Sequence, residues 1–234
     1  MIVNTRPSTL AIKTNELLAE SGIEFMHEPL TKILSISPST QALLNLKKLE
    51  SYDVIIFTSQ SAAKFGAPYL QKHMTKNVNL SIMAIGLATQ RVLNEHGLVS
   101  DVPLDFNSAG LAVLIEERKY KKCLIFCGEN KPQLSLHTQI KLDMFSCYKV
   151  VEGDCLELNH IALNQKTIFL VYNMQTLEVL VRHIQAANIE KLNLIVASSR
   201  IQEMALIEGI KGCVVAKSPH DEEMTEAAIK LSRA

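Results

Sequence analysis

One pattern repeats along this 234-residue chain and limits what it can fold into. A short apolar run ends in small polar residues or glycine, and a helix-like stretch follows. The runs are Met1–Asn4, Asp53–Phe57, Leu80–Ile85, Cys123–Phe126, Thr167–Val171, Leu194–Ala197 and Cys213–Ala216. Runs this short, rich in Ile, Val and Phe, suit strands buried on both faces of a parallel sheet. Strands alternating with helices form right-handed βαβ units. The expected class is therefore α/β.

The residues after each run predict where helices begin. Thr5-Arg6-Pro7-Ser8 leads to a helix through Leu10, Leu17 and Leu18 that stops at Gly22. Thr58-Ser59-Gln60-Ser61 leads to one toward Leu70, and Gly86-Leu87-Ala88-Thr89 to one ending near Gly97. Cys127-Gly128-Glu129-Asn130 precedes a helix expected through Leu134 and Ile140. Tyr172-Asn173-Met174, Ser198-Ser199-Arg200 and Lys217-Ser218-Pro219-His220 open the last three helices. Ser218 and Pro219 read as a cap and a first helical residue. In such sheets ligands bind beyond the carboxyl ends of the strands. Several of these loops are also helix N-termini with free N–H groups, which favours an anionic ligand held by main-chain amides.

Two stretches interrupt the rhythm. Glu28–Leu34 and Tyr148–Gly153 read as extended, the former because a residue before proline is pushed toward β. Taken as connectors, they divide the chain into two α/β domains. Residues 1–30 plus 156–234 form a discontinuous domain, residues 36–147 an inserted one, with linkers at about 31–35 and 148–155.

Charge and motif content exclude several classes. Lys and Arg number 24, Asp and Glu 24, so the net charge is 0; a general nucleic-acid binder carries a basic excess. No apolar run approaches the roughly 20 residues that span a bilayer. The opening residues lack the plan of a secretion signal, so a cytoplasmic protein without a membrane partner is expected. None of the five cysteines has C-x-x-C spacing. Cys123 and Cys127, four apart on one strand, share a face and are expected as buried thiols. Neither nucleotide-binding glycine fingerprint is present, nor a G-x-S-x-G elbow. The histidines at 27, 73, 96, 137, 160, 183 and 220 have no ligand spacing to one another, to cysteine or to acidic clusters, so no metal is expected. His220 reads as a solvated residue, and Asp221-Glu222-Glu223 as a favourable first helical turn.

Several loops together resemble the uroporphyrinogen-III synthase family. Val3-Asn4-Thr5-Arg6-Pro7 is similar to its opening strand and TRP loop. Asp53-Val54-Ile55-Ile56-Phe57-Thr58-Ser59 resembles its D-x-[IV]-[IV]-F-T-S segment, and Ala84-Ile85-Gly86-Leu87-Ala88-Thr89 its A-[IV]-G-x-x-T segment. Leu124–Gly128, the Tyr148-Lys149 linker, Val196–Ser199 and Ala205–Gly209 follow in the family's order over nearly the whole chain. The resemblance implies two α/β domains, each with a mostly parallel sheet flanked by helices, a two-stranded linker and a cleft between them. It implies a cofactor-free lyase that cyclises hydroxymethylbilane, a linear tetrapyrrole polycarboxylate, to uroporphyrinogen III in haem biosynthesis, with inversion of the last pyrrole ring and loss of water. Tyr148 would serve the leaving hydroxyl. Thr5, Arg6, Thr58, Ser59, Gln60, Ser61, Gly86, Thr89, Gly128, Glu129, Ser198 and Ser199 would bind substrate. A monomer is expected. One departure stands out: Tyr172-Asn173 replaces the family's usual Ser-type loop. It motivates the alternative of a non-catalytic relative acting as an anionic-ligand binding or scaffold module.

Overall fold

The computed structural model describes residues 1–74, 80–130, 132, 134, 137–155, 158, 161 and 167–233. The chain begins with β1 (Ile2–Asn4), α1 (Ile12–Glu20), β2 (Phe25–His27), β3 (Thr31–Ser35) and α2 (Thr40–Leu46). It continues with β4 (Val54–Phe57), α3 (Gln60–His73), β5 (Ser81–Ala84), α4 (Leu87–Glu95), α5 (Ser108–Glu117), β6 (Lys122–Gly128) and β7 (Lys141–Glu152). It ends with β8 (Ile168–Val171), α6 (Met174–His183), β9 (Asn193–Val196), α7 (Ser199–Ile207), β10 (Gly212–Val215) and α8 (Asp221–Ser232). All seven expected runs are strands, displaced by a residue or two at their ends. No helix among the described residues is long and apolar enough to cross a membrane.

The strands form two five-stranded sheets, β10-β9-β8-β1-β2 and β3-β7-β6-β4-β5. The chain divides into two compact units, Met1–Lys32 with Val151–Ala234, and Ile33–Val150. It passes from one to the other within β3 and again within β7. The first unit's sheet is parallel throughout. In the second, β5, β4, β6 and β7 are parallel. Ile36 N–H donates to the Cys147 carbonyl and Gly153 N–H to that of Leu30, so β3 runs antiparallel to β7.

Both sheets are covered on both faces, which explains the unbroken apolar runs. In the second unit Ile55, Phe57, Leu124 and Phe126 face Ala62, Ala67 and Leu70 of α3. Their alternates Val54, Ile56, Cys123 and Ile125 face Leu111 and Ile115 of α5. In the first unit Val3, Phe169 and Val196 pack on α6 and α7, while Ile2, Ile168 and Ile195 pack on α1 and α8.

The local differences from expectation have clear causes. A 3-10 turn, Ser8–Leu10, delays α1 to Ile12, and no side chain caps it. Gly22 ends that helix at φ +67, in the left-handed region glycine favours. Ser218 and Pro219 do not start α8; the Ser218 hydroxyl accepts the His220 N–H, and the helix begins two residues past the proline, at Asp221. The helix expected through Leu134 and Ile140 falls partly on 131, 133, 135 and 136, outside the described residues; 138–140 are irregular chain entering β7. The helices α2 and α5 begin at the caps Ser39 and Asn107 and do not directly follow an apolar run.

Asp53 shows how one carboxylate fixes a strand entry. It accepts the N–H groups of Lys121 at 2.7 Å and Lys122 at 2.9 Å, which hold its carboxyl below the usual range. A depressed folded pKa adds stability above the unfolded value near 3.9, and that stability is lost as pH falls through the folded value. Asp53→Asn should therefore flatten the acid side of the stability profile, measured as the shift in urea midpoint between about pH 7 and pH 3.

Candidate functional site

A crevice opens in doubly wound sheets where successive connections leave a pair of strands in opposite directions. In the second unit that point lies between β4 and β6, since β5 flanks one side and β6 and β7 the other. In the first unit it lies between β1 and β8, flanked by β2 and by β9 and β10. A threonine marks each. Thr58 Oγ1 donates to the Phe126 carbonyl of β6 at 3.1 Å. Thr5 Oγ1 donates to the Leu170 carbonyl of β8.

At the second unit's switch point Ser59 is the N-cap of α3. Its Oγ accepts the Ala62 N–H at 3.0 Å and donates to the Tyr148 oxygen at 3.0 Å. Hydrogen bonds therefore run in one direction, from Ala62 through Ser59 into Tyr148. The phenol's own O–H is left as the outgoing donor. Burial pushes this phenol's pKa up, and the Ser59 bond works against that. It is protonated at neutral pH and can donate.

A register shift delivers Tyr148 to this place. Ser146 pairs with Cys127, yet Gly128 pairs with Tyr148, so Cys147 is the extra residue of a β-bulge. Upstream, Leu142 and Met144 face α5 while Phe145 and Cys147 face α3. Simple alternation would turn Tyr148 toward α5. The bulge turns it to the α3 side, where it joins that core and meets Ser59. Gly128 makes room: a Cβ there would lie 3.0 Å from Tyr148 Cζ. The backbone of Gly128 thus approaches the tyrosine ring.

The remaining residues of this unit sit around the same strand ends in different roles. Gln60 and Ser61 are the first residues of α3, half-buried and buried. Gly86 is the N-cap of α4 and is extended, with a Cβ position 3.1 Å from Phe106 Cβ. Thr89 is buried in the first turn of α4, and Glu129 is exposed past β6.

The first unit's switch point is built around a cation. The Arg6 guanidinium pairs with Asp221 and lies 4.2 Å from the Tyr172 ring centroid. Thr14 Oγ1 donates to Asp221 at 2.5 Å, so the Tyr172 hydroxyl, 3.2 Å from Thr14 Oγ1, donates to Thr14. Burial pushes the Tyr172 phenol up to about 12, with the Arg6 charge acting the other way. Asn4 accepts the Arg6 N–H at 3.1 Å, and His27 Nε2 meets the Arg6 carbonyl at 2.9 Å. Arg6 is thus held by its own protein. Asn173 caps α6 by accepting the Thr176 N–H at 2.9 Å. Ser198 and Ser199 are exposed at the start of α7, and Ser198 makes no side-chain capping bond. Thr14 and Asp221 escaped sequence reasoning as site residues, because Asp221 looked like an ordinary first-turn acid.

The strand thiols Cys123, Cys127 and Cys147 are not reactive groups. Burial pushes Cys123 and Cys147 up to about 12 and Cys127 to about 11. All five cysteines are free.

Two mostly parallel doubly wound units, one inserted in the chain of the other and each with a hydroxyl-bearing switch point, define a two-domain α/β protein that would bind ligands at strand ends. A family model described as uroporphyrinogen-III synthase HemD matches residues 12–226, and this chain belongs to that family. The fold is similar to that of a mutant uroporphyrinogen III synthase from the extreme thermophile Thermus thermophilus, with TM-score 0.63, 15% identity and coverage of 99% of this chain and 98% of that one. It is equally similar to uroporphyrinogen-III synthetase from Helicobacter pylori, with TM-score 0.63, 16% identity and 98% of each chain covered. No curated protein matches significantly by sequence.

Proposed function

We propose that this chain is a uroporphyrinogen-III synthase, a cyclising lyase of haem biosynthesis, and that Tyr148 is its proton donor. The family match over residues 12–226 carries the activity. The directed bonds from Ala62 through Ser59 to Tyr148 carry the residue assignment. As the phenolic proton leaves with the substrate's hydroxyl, water departs and a phenolate forms. The Ser59 hydroxyl already points at that oxygen and needs no reorganisation to stabilise the charge. Ring closure releases a proton from the attacking pyrrole carbon, which restores the phenol. The amides at the starts of α3 and α4, beside Ser59, Gln60, Ser61, Gly86 and Thr89, would take substrate carboxylates. Glu129, Ser198 and Ser199 are proposed as exposed polar contacts, and Thr5 and Arg6 as parts of the first unit's binding surface.

The linkers at about 31–35 and 148–155 would join domains 1–30 plus 156–234 and 36–147. The net charge of 0 supports a partner list without nucleic acid. Five free cysteines suit the reducing cytoplasm. A monomer is part of this reading.

The test supplies enzymatically generated hydroxymethylbilane and separates the product isomers. The type III isomer is expected from the protein; only the spontaneous type I isomer would refute the reading. Tyr148→Phe should lower kcat at least about 10-fold, below the roughly 100-fold low end for a general acid because the substrate also cyclises unaided. A full rate would remove Tyr148 from the mechanism and leave the activity itself standing.

A further inference from the structure

We propose that Glu152, Cys155 and His183 form a Zn2+ site in the first unit, where β7 ends at Glu152 and α6 ends at His183. One carboxylate oxygen, Sγ and a ring nitrogen from these residues all lie within 4.8 Å of one another. Tetrahedral zinc has bonds of about 2.0–2.3 Å to such ligands, which places ligand atoms roughly 3.3–3.7 Å apart. An approach of about 1 Å therefore completes three protein ligands, with water in the fourth position. A thiolate, an imidazole and a carboxylate together suit zinc rather than magnesium or calcium, which take oxygen sets.

Two further observations point the same way. Cys155 is buried and sits at φ +48, a left-handed conformation few non-glycine residues hold; that conformation fixes where its thiol lies. Arg182 Nη1 holds Glu152 Oε2 at 2.5 Å, which orients the other oxygen, Oε1, toward His183 at 2.6 Å. Outer partners of this kind commonly orient metal ligands. Glu152 and His183 are about one-third exposed, which leaves an entry path. On binding, the Cys155 thiol proton goes to solvent and the sulfur bonds the metal. The proton that Nε2 donates to Glu152 moves to Nδ1, which frees the Nε2 lone pair for the metal.

The experiment titrates the full chain, first stripped with chelator, with Zn2+ by calorimetry and with Co2+ by absorption. A single equivalent should bind with Kd below about 1 μM. Cobalt should give a thiolate charge-transfer band. Cys155→Ser should abolish the band, and His183→Gln should weaken zinc about 100-fold or more. Cys213→Ser, at the one cysteine that is only half-buried, should change neither. Absence of saturable binding, or a band that survives Cys155→Ser, overturns the proposal. If Cys155→Ser fails to fold, unchanged zinc affinity in His183→Gln overturns it alone.

Discussion

Replacing Gly66 with alanine is expected to destabilise the protein by about 2 kcal/mol, although the same change in an exposed helix would stabilise it by about 1 kcal/mol. Gly66 lies in α3, and a Cβ there would stand 2.3 Å from Cδ1 of Phe126. That ring is fully buried. It stacks on Phe57 at 4.5 Å and meets Phe145 at 4.6 Å, so it cannot retreat within its layer. Overpacking of this kind costs about 1–3 kcal/mol, and the depth of the overlap places it at the upper end, beyond the helix-propensity gain. The Phe126 carbonyl also receives Thr58, so displacement of β6 should reach the switch point and lower synthase activity. A urea titration with unchanged m reads the loss. A stability gain would mean that α3 shifts freely on the sheet.

The second large effect is expected from Asp221→Ala, at about 3 kcal/mol. Removing one partner of a buried ion pair costs about 3–5 kcal/mol because it leaves the other charge buried. The Arg6 and Asp221 side chains keep 12% and 21% of their exposure, so the low end applies. Thr14 loses its acceptor as well. Arg6→Met in the same chain should restore part of the loss, because the stranded charge is then gone. Thermal or urea unfolding of the two single variants and the double decides it. A single-variant cost under about 0.5 kcal/mol would mean the pair is solvated.

The two tyrosines explain the departure at Tyr172-Asn173. In the second unit a tyrosine reaches the β4–β6 switch point from β7, across a bulge. In the first unit a tyrosine follows β8 directly and lies against Arg6. Asn173 keeps the capping role a serine would have had. The altered loop thus serves to hold a cation, and it belongs to a chain of the synthase family.

The fold was legible because its signals are local. A strand covered on both faces must be apolar at every position, whatever its neighbours, and a helix must be capped by the residues beside it. Those rules located seven of the ten strands among the described residues and the strand-end loops, whose order matched the family. The site's working parts obey no local rule. Simple alternation would aim Tyr148 at α5, and only pairing with β6 creates the bulge that turns it to Ser59. Arg6 and Asp221 lie 215 positions apart and meet because β1 and the start of α8 end at one edge of the same unit. Glu152 and Cys155 meet His183 because β7 runs out beside the end of α6. The sequence by itself determined the class, most of the strands and the family, since burial and capping act residue by residue. The tertiary structure alone decided which polar groups meet, because that depends on register and packing between segments distant in the chain.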